Sequence, residues 1–203
     1  MMLSSVKFDK DYFENGIKTC KSLYENYRWM PTRSFPEAID IKDMFGSHGT
    51  ILDYGCAKGF LVKALRLLGV KAYGYDISEY AIAHRCTKFA CNDMREKSYD
   101  TIVCKDVLEH VPKTKLRAVL REIYNKCNIG AFIVVPLADG FKYRIKEYED
   151  DITHVIREDE EWWITQLRDA GFKILEFDYK CGAIKEKWTK KYPYGNGFFW
   201  VVK

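Results

Sequence analysis

The stretch "ILDYGCAKGFLVKALRLLG", Ile51 to Gly69, constrains the fold more than any other part of the chain. Its first residues, with Thr50, read as a short buried strand, "TILDY". Leu61, Ala64, Leu65 and Leu68 then recur at i, i+3, i+4 and i+7, the stripe of a helix packed on one side, and Gly69 supplies its stop. Gly55 and Gly59 fill the junction. A glycine bend between strand and helix lets a ligand approach the backbone with no side chain in the way, and the amides of the helix N-terminus face that ligand. The same glycines would serve a plain tight turn. Two carboxylates argue for more. Asp53 stands at the carboxyl end of the first strand, and Asp76 closes the next strand, "KAYGYD", 23 positions later. That is close to the roughly 20-residue offset at which a carboxylate holds a ribose diol. The pattern predicts a nucleoside-type site at the tips of neighbouring strands. The dinucleotide fingerprint is not met, since Ala57 and Phe60 stand where its second and third glycines would be.

Beyond this unit the chain keeps alternating. "SEYAIAHR" reads as a helix capped by Ser78, "TKFACND" as a weaker third strand, and "YDTIVCKD" as a fourth. Leu116, Val119, Leu120, Ile123 and Cys127 mark another helix, and "GAFIVVP" a fifth strand. Alternating strands and helices with right-handed crossovers give an α/β fold, a doubly wound, mostly parallel seven-stranded sheet with helices on both faces. A polar insertion interrupts the alternation at about 137–159. A helix from Glu160 to Ala170 follows, then "FKILEFDYKC" and "GNGFFWVVK", a C-terminal antiparallel hairpin. At the other end, Phe13, Ile17, Cys20, Tyr24 and Tyr27 recur at helical spacing, which predicts a helix from Asp9 to about Tyr27. A second helix is expected from near Pro36 to near Gly46. Residues 1–46 are thus expected to form a helical lid or cap over a main domain of 47–203. A length of 203 residues with 47% hydrophobic residues suits one such domain.

"ILDYGCAKG", "YGYDIS", "ND" at Asn92–Asp93 and "YDTIVCKDVLEHVP", in that order, resemble the class I S-adenosylmethionine-dependent methyltransferases, whose domain is Rossmann-like. The likeness covers Thr50 to Pro136 well and runs more loosely to Lys203, where "WWITQLRDAGFKI" is similar to the late helix and strand of members acting on small molecules. It implies S-adenosyl-L-methionine as cofactor and a role for each matching residue. Asp53 and the loop Gly55–Cys56–Gly59 would hold the methionine end. Asp76 would hold the ribose hydroxyls, with Ile77 against the adenine. Asp93 and the backbone of Met94 would meet the adenine amino edge, and Lys105 and Asp106 would line the cofactor and substrate pocket. Ala57 departs from the family's usual glycine. Plainer readings stand beside these: Asp93 as a solvated loop residue, Lys105 as a lysine reaching out from a strand end.

His110 in "LEHVP" and His154 in "DITHV" are the candidate catalytic residues. His110 either fixes the loop after the fourth strand or takes part in chemistry. His154 is a general base, a hydrogen-bond donor to substrate, or a solvated loop residue. Asp150, Asp151 and His154 do not fix a metal geometry, and no metal site is expected. Tyr24, Tyr27, Arg28 and Trp29 form either a packed helix end or a lid over the sulfonium and its acceptor. Lys185, Lys187, Lys190 and Lys191, mixed with Trp188, Tyr192 and Tyr194, form either a solvated connection or a flap for an anionic acceptor.

Three functions are carried forward. The first is methylation of an oxygen or nitrogen of a small molecule such as a sugar, natural product or metabolite. The second is RNA or nucleotide methylation, and the third a non-catalytic cofactor-binding scaffold. "KDVLEH" lacks the Asn/Asp-Pro-Pro-aromatic motif of the family's DNA amino-methylating members, and no Pro-Cys pair suits cytosine attack. A net charge of +4 is too mild to mark a nucleic-acid binder. The expected partner is a small-molecule acceptor, with no membrane. Seven cysteines with no Cys-x-x-Cys pair argue against a disulfide framework, and "MMLSSVKFDKDYF" lacks a signal-peptide core, so a cytoplasmic location is expected.

Overall fold

The computed structural model describes residues 8–46, 49–94 and 96–203. Seven strands form one sheet: β1 (Thr50–Tyr54), β2 (Lys71–Tyr75), β3 (Ala90–Cys91), β4 (Tyr99–Lys105), β5 (Cys127–Pro136), β8 (Lys173–Asp178) and β9 (Asn196–Val202), in the order β3-β2-β1-β4-β5-β9-β8. β1 to β5 pair in parallel, while β9 runs antiparallel to both β5 and β8. This is the expected doubly wound sheet with its closing hairpin. The strand order turns at β1 and β4, and ligands of such sheets bind at that switch point.

Both faces are covered. On one, α5 (Lys113–Lys126) and α6 (Glu160–Asp169) bury Leu116, Leu120, Trp163 and Leu167. On the other, α2 (Pro31–Phe45) and α3 (Phe60–Leu67) bury Ala38, Ile41, Val62 and Leu65. Glycine at Gly59 caps α3 in the left-handed region, at φ +76°, as a strand-to-helix bend requires. Ser78 caps α4 (Glu79–Ala83) by accepting from the Ala81 amide.

Three elements depart from the sequence reading. The helix expected from Asp9 to Tyr27 is a single turn, α1 (Lys10–Glu14). Beyond it the chain doubles back, with the Ile17 amide bonded to the Tyr24 carbonyl and the Tyr27 amide to the Phe13 carbonyl. Phe13 and Tyr27 are therefore neighbours across a loop, and their helical spacing is coincidental. α2 begins at Pro31 instead of near Pro36, which lies inside the helix. Pro31 takes the first-turn place where a missing N–H costs nothing. Cys127 belongs to β5, which follows α5 without a loop.

The insertion forms a small hairpin, β6 (Ala138–Asp139) with β7 (Lys142–Tyr143), then a 3-10 turn at Lys146–Asp150. The amides of Val155 and Ile156 donate to the Glu109 carbonyl, which fastens the insertion to the loop after β4. A six-residue helix, α7 (Glu186–Lys191), lies between β8 and β9.

Candidate active site

A cavity of about 230 Å³ opens at the carboxyl ends of β1, β2 and β4. Asp53, Gly55, Cys56, Asp76, Ile77, Lys105 and Asp106 line it, as do His110, Tyr24, Tyr27 and Arg28. Among the described residues, Gly59, Trp29, Asp93, Met94 and His154 are not part of that lining. Gly59 lies behind the bend against Ala90 and Thr87. Asp93 is exposed, and Met94 packs against the core beneath β1 and β4. Trp29 packs edge-on against Phe35 and Phe60.

The bend follows from its neighbours. Gly55 has φ +84°, and a Cβ there would lie 2.2 Å from Val107 Cγ2, so the loop after β4 excludes any side chain. Ala57 is also left-handed, at φ +49°, which an alanine adopts only at a cost of about 1 kcal/mol. Asp76 holds it there. Its Oδ2 accepts from the Ala57 amide and its Oδ1 from the Ser78 amide, both at 2.7 Å. Asp76 thus fixes the glycine loop and keeps lone pairs for a ligand diol. Burial raises its pKa, against the pull of those two amides.

Burial pushes Asp53 up to about 7, opposed by Lys105 and reinforced by Asp76 and Glu37. A buried carboxyl poised to gain or lose a proton at neutral pH is one that a ligand cation would ionise. An ammonium is such a cation. The two carboxylates, the tight bend at Gly55 and the enclosing aromatics together fit the amino, ribose and adenine parts of S-adenosylmethionine.

The cover over the cavity is tied to the loops after β1 and β2. Lys58, beside the bend, pairs with Glu14 and donates to the Tyr27 carbonyl at 3.0 Å. The Ser78 hydroxyl donates to the Phe8 carbonyl at 2.6 Å. Tyr12, Phe13, Tyr24 and Tyr27 meet edge-on, tilted or stacked, with ring centroids 4.8–6.3 Å apart.

At the other end charges alternate. Arg33 pairs with Glu37 at 3.3 Å, Glu37 faces Lys105 at 3.9 Å, and Lys105 meets Asp106 at 3.4 Å. Asp106 also pairs with Lys185 from the turn before α7. Both Asp106 and Lys185 are left-handed, at φ +58° and +56°. Strain of this kind gathers where a site holds its residues in place. Burial alone would raise the Asp106 carboxyl, but Lys185 and Lys105 outweigh it and hold it below the usual carboxylate range. Lys187, Lys190 and Lys191 are exposed, so of the lysines at 185–191 only Lys185 turns into the site.

His110 lines the cavity with Phe8 edge-on to it at 5.4 Å. His154 sits behind it, ring centroids 4.7 Å apart, and its Nε2 is 3.8 Å from Asp151 Oδ2. Asp150 is exposed, whereas Asp151 is buried and accepts from the Tyr12 hydroxyl at 3.2 Å. The sequence reading passed over Tyr12, Glu37 and Glu109. Glu109 stood in plain view within "LEH", while Tyr12 and Glu37 reach the site through contacts that no local pattern encodes.

Comparison with known proteins agrees with this geometry. A family model described as a methyltransferase domain matches residues 29–177. A ribosomal protein L11 methyltransferase of Fusobacterium nucleatum subsp. nucleatum is 28% identical over 132 residues, 64% of this chain. A ubiquinone biosynthesis O-methyltransferase of Pseudomonas savastanoi pv. phaseolicola is 30% identical over 95 residues, 39% of this chain. In both, the matched part is 40% of the relative's own length. Among solved structures, magnesium protoporphyrin IX methyltransferase from Synechocystis PCC 6803 with bound SAM superposes with a TM-score of 0.64 at 15% identity, over 100% of this chain and 98% of that one, a likeness of fold. No helix among the described residues is long and apolar enough to cross a membrane. The chain belongs to the S-adenosylmethionine-dependent methyltransferase family.

Proposed function

We propose that this protein transfers a methyl group from S-adenosylmethionine to an oxygen or nitrogen of a small molecule. One observation carries the reading: the acceptor end is a concave recess walled by Tyr12, Tyr24, Asp106 and His110 under a cover tied down by Lys58 and Ser78. A long nucleic-acid chain would ask for an open basic groove instead. One relative is named as an O-methyltransferase of ubiquinone biosynthesis, which supports a small acceptor. Another is named for a ribosomal protein, so a macromolecular acceptor is the competing outcome.

When bound, the cofactor supplies an activated methyl on a sulfonium. The protein's own residues bind, orient and exclude water. Asp53 and Asp76 with the Gly55 bend set the cofactor. Ile77 lies on the cofactor side, and Asp93 with Met94 is assigned to the adenine edge from outside the wall. Tyr24, Tyr27 and Arg28 close the acceptor side. Burial, then His154, lowers the pKa of His110 to about 4, so its ring is neutral at pH 7. We assign departure of an acceptor hydroxyl's proton to the His110–His154 cluster, with His110 at the wall and His154 behind it. Residues 8–46 act as the cover of the catalytic domain, although α2 shares the main core; residues 1–7, 47 and 48 of the expected division lie outside the described residues. A tritium-methyl transfer assay against fractionated small metabolites, RNA and protein tests this reading. Label in small molecules, with turnover lowered by His154→Ala at unchanged cofactor affinity, is the expected result. Label only in RNA or protein, or none in any fraction, overturns it.

A further inference from the structure

The two histidines and Glu109 hold more acceptor atoms than the surroundings have donors. The Thr153 hydroxyl donates to Asp151 Oδ1, so only its lone pairs remain for His110 Nδ1, 2.7 Å away. His110 must therefore carry its proton on Nδ1. His154 Nδ1 lies 3.0 Å from the Tyr148 carbonyl, which can only accept, so it too is protonated there. With both Nδ1 atoms engaged, the Nε2 of each ring is the nitrogen left for a further partner. His154 Nε2 lies 3.8 Å from Asp151 Oδ2, beyond hydrogen-bond length.

Glu109 completes the set. Its side chain is 1% exposed, and its Oε2 is buried with no hydrogen-bond partner. Ligand atoms of Glu109, His110 and His154 all lie within 4.8 Å of one another. Two nearby donors have partners other than Glu109, the Tyr12 hydroxyl in Asp151 and the Lys185 ammonium in Asp106. Converging lone pairs in a dry site call for a positive charge among them.

We propose that Glu109, His110 and His154 bind a divalent transition-metal ion of the zinc type, joining the loop after β4 to the insertion beside the acceptor end of the cavity. Two imidazoles and one carboxylate without a thiolate are the donor set such ions take. Each ring is already oriented from its far side, His110 by Thr153 and Asp151 and His154 by the Tyr148 carbonyl, as metal-bound histidines are. Ligands on one zinc ion lie about 3.4 Å apart, so binding draws the trio inward by about an ångström. The set differs from Asp150, Asp151 and His154, which sequence proximity suggests. Glu109 and His110 stand more than forty positions before His154 and meet it through the bonds of the Val155 and Ile156 amides to the Glu109 carbonyl and the contact of His110 with Thr153. The inference rests on the proposed methyl transfer for its role, since with both Nε2 atoms on the ion the cluster would orient the acceptor oxygen instead of taking up its proton, while ion binding is measured without methyl transfer.

The whole chain, stripped with chelator and dialysed, is titrated with Zn²⁺ and with Co²⁺ as a spectroscopic stand-in. One equivalent is expected to bind, with visible Co²⁺ bands typical of nitrogen and oxygen ligands and a raised Tm. Glu109→Gln and His154→Asn are expected to weaken binding at least tenfold, while His84→Ala, at an exposed histidine, leaves it unchanged. Should His154→Asn fold poorly, the nearly isosteric Glu109→Gln still decides. Lack of stoichiometric binding by folded wild-type protein overturns the proposal. So does binding that Glu109→Gln leaves intact, or a Co²⁺–thiolate band that places the ion on cysteines.

Discussion

The cofactor end of the cavity is made from residues close in sequence. Asp53 at the end of β1 runs straight into the loop that holds Gly55 and Ala57, and Asp76 reaches Ala57 from 19 positions on. The acceptor end is made from residues far apart. Asp106 meets Lys185 across 79 positions, Tyr12 meets Asp151 across 139, and His110 meets Thr153 across 43. One end is a local strand–loop–helix device. The other is an assembly of four segments, each useless until the fold brings it in. The difference teaches where each kind of information sits: cofactor recognition in a short motif, acceptor recognition in tertiary contacts.

The comparison predicts that long-range pairs at the acceptor end carry stability while local residues at the cofactor end carry affinity. Lys185→Met tests the first half most severely. It removes a buried partner of Asp106 and leaves that carboxylate with Lys105 alone. Breaking a fully buried pair costs about 3–5 kcal/mol, and the partial exposure of Asp106 reduces this to about 2–3 kcal/mol. Tm should fall by about 5–10 °C in a thermal melt. Cofactor affinity by calorimetry should stay within about threefold. An unchanged Tm would mean the acceptor end is held by something other than this pair.

Asp76→Ala is the matching test at the cofactor end. It removes both a diol acceptor and the clamp on the strained Ala57 amide. Calorimetry should show cofactor affinity lowered at least tenfold, in line with hydrogen bonds to a charged group worth about 1.5–3 kcal/mol. Equal affinity would refute the ribose assignment.

The same division explains what the sequence shows and what it hides. The sheet was readable because each strand and helix carries its own periodicity, and Asp53, Gly55 and Asp76 because the motif is local. The helix expected up to Tyr27 fails for the opposite reason. Phe13, Tyr24 and Tyr27 are partners across a loop closed by backbone bonds, and Ile17 and Cys20, which should have continued the stripe, are exposed. Lys185 looked like one of four flap lysines because nothing near it in sequence announces Asp106. Glu109 drew no reading within "LEHVP" because its unpaired oxygen exists only in three dimensions.

A pH series sharpens the cofactor side further. Asp53 carries its proton below about pH 7 when the cavity is empty, because burial disfavours the carboxylate. The cofactor's ammonium requires the ionised form, so binding at pH 6 must expel a proton and binding at pH 8 need not. Affinity should therefore be about tenfold weaker at pH 6 than at pH 8. Asp53→Asn should flatten that profile. It should also raise the Tm of the empty protein at pH 8, since a raised carboxyl pKa costs stability above that pKa and not below the unfolded value. A wild-type profile flat between pH 6 and pH 8 would move the amino end of the cofactor away from Asp53.

The smallest effect should come from Asp93, and it bears on the boundary between the two kinds of information. Motif order assigns Asp93 to the adenine edge, yet its side chain is exposed and lies outside the cavity wall. An exposed carboxylate competes with water for any hydrogen bond it makes, so its net contribution is about 0.5–1 kcal/mol. Asp93→Ala should weaken cofactor binding about threefold, well short of the loss at Asp76. A loss above tenfold would mean that the turn at 92–94 moves in when the cofactor binds, burying Asp93 and turning a local motif into a closing element. The cofactor end would then share the acceptor end's dependence on contacts made only after folding, and the contrast between them would narrow to Asp53, Gly55 and Asp76.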